Sequence, residues 1–121
     1  MTSIHLTVPA QATFVALVRT SAAHLGAHIN LSVDQIEDLR LAVDEAFAAV
    51  LCESDESVDI TFECDTDSIT ATLTGPRGAS EPDKAGFGWT VMAALVNNVS
   101  SSTNEDGRVS ISLTTKVAAS A

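Results

Sequence analysis

From Ile4 to Val8 apolar and polar positions alternate, with Ile4, Leu6 and Val8 on one side. A period of two predicts a strand. Pro9 then suits the first turn of a helix, where its missing N–H would have no partner anyway. Phe14, Leu17, Val18, Ser21 and Leu25 recur at helical spacing, and Gly26 marks the expected stop. The second helix is better signposted. Ser32-Val33-Asp34-Gln35 is a capping box in which Gln35 can reach back to the N–H of Ser32, flanked by Leu31 and Ile36 as a hydrophobic staple. Behind it Ile36, Leu39, Val43, Ala46 and Val50 form a stripe that predicts a sheet-facing helix running to about Cys52.

Val58, Ile60, Phe62 and Cys64 alternate with Asp59, Thr61 and Glu63. Asp65-Thr66-Asp67-Ser68 is turn material, and Ile69, Ala71 and Leu73 alternate again, so a hairpin is expected. Periodicity then vanishes from Gly75 to Lys84, a stretch holding Pro76 and Pro82. It reads as one long loop, of a length that usually serves function. Gly86-Phe87-Gly88-Trp89 opens a third helix carrying Trp89, Met92, Leu95, Val96 and Val99. Ser100 to Thr103 is weakly strand-like, Asn104-Glu105-Asp106-Gly107 is a turn, and Val109, Ile111 and Leu113 mark the last strand. The tail from Val117 to Ala121 is expected to fray.

The order β-α-α-β-β-α-β-β predicts an α/β two-layer sandwich. Its sheet should be mixed but mostly antiparallel, with about five strands covered on one face by three helices. Leu39, Val43, Val50, Phe62, Leu73 and Ile111 are the expected core. At 121 residues the chain is read as a single domain, 1–121. Charge adds more. With 16 Asp+Glu against 6 Lys+Arg and a net charge of −10, a direct nucleic-acid contact is disfavoured and a basic partner surface is favoured. No apolar run approaches the roughly 20 residues that span a bilayer, so no membrane association is expected. Met1-Thr2-Ser3-Ile4-His5 lacks the basic start and apolar core of a signal peptide, which points to the cytoplasm. There Cys52 and Cys64 are expected to stay reduced, as small hydrophobes.

Three features bear on chemistry. Glu45 falls opposite the core stripe of the second helix, among Leu41, Ala42, Ala48, Ala49 and Cys52, with no opposite charge beside it. A carboxylate on such a face can act as a base, although a solvated helix glutamate fits the same pattern. Small neighbours suggest that something packs or binds there. Gly86 and Gly88 stand at a helix start, where backbone N–H groups can approach a phosphate. Neither the Rossmann spacing nor a Walker A motif is present. His24 and His28 lie one helical turn apart, but nothing near them in sequence completes a metal site. No metal is expected from the residues alone.

Asp38-Leu39-Arg40-Leu41-Ala42-Val43-Asp44-Glu45-Ala46 resembles the first nucleotide-binding box of the anti-sigma factor serine kinases, which share the histidine-kinase-like ATPase fold. Gly86-Phe87-Gly88-Trp89-Thr90-Val91-Met92-Ala93-Ala94-Leu95 resembles the later glycine box. The element order matches along essentially the whole chain, and the likeness is strongest to compact actinobacterial anti-sigma factors. This resemblance implies that Glu45 is the general base toward a serine of an antagonist protein. It implies that Gly86 and Gly88 face the phosphates of ATP, and that Arg19 grips the sigma factor and its antagonist. It also implies ATP and magnesium as cofactors, and a homodimer paired through the first strand and helix.

Two departures stand against catalysis. Ala49 replaces the magnesium-coordinating Asn expected four residues after Glu45, and Thr74-Gly75-Pro76-Arg77-Gly78 lacks the Asp that reads adenine. The expected function is therefore an anti-sigma factor with a degenerate nucleotide site. It would sequester an alternative sigma factor and release it to an anti-anti-sigma antagonist. The alternatives are an active serine kinase that phosphorylates the antagonist, and an acidic interaction domain unrelated to sigma factors.

Overall fold

The computed structural model describes residues 1–118. Its first strand, β1 (Thr2–Pro9), lies at the edge of the sheet, and Pro9 ends it opposite Ser57 instead of opening a helix. The end of an edge strand tolerates a residue with no N–H to donate. A short 3-10 turn at Ala12–Phe14 leads into α1 (Val15–His28). Gly26 does not stop that helix. It is buried, and Leu31 Cδ1 would sit 3.0 Å from any Cβ placed there. The left-handed residue that ends the helix is Asn30, with φ 66°.

α2 (Val33–Val50) starts at the expected capping box, with Ser32 Oγ accepting from Gln35 N and Gln35 Oε1 accepting from Ser32 N, both at 3.1 Å. β2 (Ser57–Cys64) and β3 (Ser68–Thr74) are the predicted hairpin. After the long loop come α3 (Phe87–Leu95), β4 (Asn98–Thr103) and β5 (Val109–Lys116). α3 is shorter than its apolar spacing suggests. Asn97 N already donates to Thr114 O at 2.9 Å, so pairing with β5 captures Val99 for the sheet.

The strand order is β1-β2-β3-β5-β4, and every neighbouring pair is antiparallel. The mixed sheet expected from the sequence is corrected here. β3 and β4 run the same way, but β5 enters between them and removes the parallel contact. The three helices cover one face, onto which β2, β3 and β5 direct alternate side chains. Leu39, Val43, Val50, Phe62, Leu73 and Ile111 are all fully buried between the layers. Ile4 is not: on the edge strand it stays 37% exposed, bordering a groove with Thr20, Ser21, His24 and Leu25 of α1. The opposite face is a hydroxyl ladder, in which Thr70, Thr72 and Thr74 pair across the strands with Thr114, Ser112 and Ser110. Residues 119–121 of the tail expected to fray lie outside the described residues. Val117 N just before them is held by Asp67 O at 2.7 Å.

Candidate functional site

Glu45 points away from the sheet, and α3 packs beside it on α2. The face that the sequence left open is thus half covered, with Met92 of α3 buried against it. Between the two helices and the loop at 78–83 lies a cleft of about 520 Å³. Glu45, Ala48, Ala49 and Cys52 form its α2 wall, while Gly86, Gly88, Trp89 and Met92 form its α3 wall. Two of the predicted site residues meet closely here. A Cβ on Gly88 would stand 3.0 Å from Glu45 Oε2, so glycine leaves the carboxylate room against the start of α3. Gly86 caps that helix in extended conformation, and its N–H donates to Asp83 O at 2.9 Å.

The loop is anchored by residues that sequence reasoning did not single out. A Cβ on Gly75 would overlap the carbonyl oxygen of Val50, so only glycine lets the loop leave β3 this close to the end of α2. Arg108 ties the same point from the sheet side. Its Nε donates to Gly75 O at 2.8 Å, and its Nη2 reaches Ser57 O at 3.1 Å and Asp59 Oδ2 at 2.9 Å. Further along, Arg77 forks onto Glu56, with Nη2 to Oε2 at 2.9 Å and Nε to Oε2 at 3.1 Å. The Arg77 hydrogen bonds hold the Glu56 carboxyl below its usual range. Cys52 Sγ donates to Arg77 O at 3.6 Å, whereas burial and Asp65 push the Cys64 thiol up in the core.

The loop also brings Glu81 and Asp83 to the cleft. Glu81 accepts from Thr103 Oγ1 at 2.8 Å, and Asp83 Oδ1 accepts from Ala85 N at 2.9 Å. Asp83 belongs to the long loop, to which the sequence assigned no individual site residue. Its turn with Ala85 is a local signal that was there to read.

Arg19 is not in this cleft. It lies on α1, its Nε bonded to Asp44 Oδ1 at 2.8 Å, beside a shallow groove with Val15, Phe47, Ala48 and Leu51. Ala48 and Leu51 border both depressions, so groove and cleft are neighbours on one surface. His24 and His28 belong to no group of three or more metal-ligating side chains among the described residues.

Residues 8–115 match the family described as the histidine kinase-like ATPase domain. The chain belongs to that family. It is also similar to the crystal structure of the RsbU and RsbW domains of Rv1364c from Mycobacterium tuberculosis, at 17% identity and a TM-score of 0.78. That alignment covers 100% of this chain and 34% of the other, so the chain spans about a third of the matched protein's length. At such identity the likeness is one of fold. No curated protein matches the chain.

A histidine kinase-like ATPase domain implies ATP and magnesium, and the side chains of this one fit them poorly. The cleft presents the carboxylates of Glu45, Glu81 and Asp83 but no Lys or Arg among its lining residues. The Ala49 side chain has no ligating atom to offer a metal. Thr74, at the end of β3, turns its hydroxyl to Ser110 on the far face of the sheet at 2.6 Å, away from the cleft. No helix among the described residues is long and apolar enough to cross a membrane.

Proposed function

We propose that this domain is an anti-sigma factor, which holds an alternative sigma factor away from RNA polymerase and yields it to an anti-anti-sigma antagonist. The observation that carries the reading is the divided state of the cleft. Glu45 is kept against the start of α3, while Ala49 carries no side-chain ligand and Thr74 turns its hydroxyl to the far face of the sheet. Fold alone does not assign function, so the reading rests on the site's side chains and on the sequence boxes. The partner class rests on the resemblance of Asp38 to Ala46 and Gly86 to Leu95 to the boxes of anti-sigma factors. Charge agrees in sign: the chain carries −10, and a sigma factor needs basic surface to meet promoter DNA. Arg19, with only its Nε engaged among the described residues, is the anchor. Pairing of two copies through β1 and α1, where Ile4 and Leu17 are exposed, completes the assembly.

The second reading is a serine kinase, favoured by the placement of Glu45 in a cleft at a helix start. Incubation with the purified antagonist and magnesium-ATP, followed by mass spectrometry of its serines, separates the two. The anti-sigma reading expects no phosphoserine together with a stable complex with a purified sigma factor. Phosphorylation that disappears in Glu45→Gln would overturn it in favour of the kinase.

A further inference from the structure

Four of the six basic side chains are spent elsewhere: Arg19 on Asp44, Arg40 on Glu37, Arg77 on Glu56 and Arg108 on Asp59. None of the three carboxylates of the cleft is in an ion pair among the described residues. One cation stands over a cleft residue without itself lining the cleft. The Lys84 ammonium stands 5.4 Å from the centre of the Trp89 ring, so the chain's own side chain already uses that indole as a cation platform. The remaining wall is apolar and small, with Ala48, Ala49, Pro82 and Met92 beside it.

A nucleotide's phosphates would meet three like charges here, and Glu45 cancels the attraction that the start of α3 would offer them. A guanidinium or ammonium meets the opposite: carboxylates around its charge, an indole face, and an apolar wall for its methylene stem. The volume of about 520 Å³ has room for such side chains, and the cleft is open to solvent.

We infer that the cleft docks a basic segment of a protein partner. An arginine or lysine side chain of that segment enters between Glu45 and Trp89 and displaces Lys84. This deepens the proposed function only in taking the occupant to be a protein, and its test needs no sigma factor.

Trp89 is the sole tryptophan and the chain has no tyrosine, so its fluorescence reports the cleft directly. The probes are a short amidated leucine–arginine peptide, the same peptide with glutamate for arginine, and magnesium-ATP. Only the arginine peptide should change Trp89 emission saturably, and more weakly as salt rises. Glu81→Gln with Asp83→Asn should weaken it about tenfold, with Glu45→Gln as a second variant in case the loop is disturbed. Asp65→Asn with Asp67→Asn removes as much charge at the distant β2–β3 turn and should leave binding unchanged. Lys84→Ala, which removes the internal competitor, should tighten it several-fold.

Equal binding of both peptides, equal weakening by the two double variants, or a response to magnesium-ATP alone would overturn the inference. A sigma factor that binds while the arginine peptide does not would sink this inference and leave the anti-sigma reading standing. The reverse result would sink that reading alone.

Discussion

At the scale of single residues, Arg19 is where family resemblance and geometry meet. Its guanidinium is partly exposed and half committed, bonded through Nε to an Asp44 that is itself about a third exposed. Such a pair contributes less than about 1 kcal/mol to stability. Arg19→Ala should therefore leave the melting temperature close to wild type while sigma-factor affinity falls more than tenfold, on the order of 2 kcal/mol for an interface anchor. Wild-type affinity in that variant would remove Arg19 from the interface. Thr115 makes a different prediction. Its hydroxyl is buried in β5 without a hydrogen-bond partner among the described residues, so Thr115→Val should stabilise by about 1 kcal/mol in thermal unfolding. A lower melting temperature would point to a partner for that hydroxyl. Glu45 was legible because helical periodicity fixes which face a residue occupies. Glu81, Asp83 and Arg108 were not, because they reach the site through the path of a long loop and a pairing across the sheet, and neither leaves a periodic trace.

At the scale of elements, local signals held where the chain's own chemistry decides and failed where tertiary contact does. The capping box of Ser32 and Gln35 is self-contained, and α2 begins as it dictates. Pro9, Gly26 and the end of α3 depend on what lies opposite: Ser57, Leu31 and β5. The loop from Gly75 to Gly86 owes its placement to Arg108 and to the Arg77–Glu56 fork. Because Arg77 holds the Glu56 carboxyl below its ordinary range, the fork's contribution is complete above about pH 4.3, the unfolded glutamate value. It is lost as pH falls through the lowered value. Amide-exchange protection of residues 77–85, corrected for intrinsic rates, should drop below about pH 4 in the wild type. In Glu56→Gln it should already be low at neutral pH. Protection indifferent to both changes would show that the fork does not hold the loop.

At the scale of the molecule, the layer architecture and the buried set followed from patterning, because one-sided apolar elements have few ways to cover one another. The strand order did not follow, since nothing local to β4 and β5 says that β5 inserts beside β3. The edge strand β1, with Ile4 and Leu17 of α1 exposed nearby, is where two copies are proposed to pair. Light scattering at high micromolar concentration should give twice the chain mass, and Ile4→Lys with Leu17→Lys should return it to one. A wild-type monomer under those conditions would remove the dimer. The central claim is that the domain holds a sigma factor and does not work on ATP. Its most direct test is calorimetric titration of purified sigma factor into the protein, with and without magnesium-ATP in the cell. Saturable sigma binding whose affinity is the same in both, with no heat from magnesium-ATP alone, is the predicted result. Micromolar magnesium-ATP binding with no sigma-factor complex would contradict it.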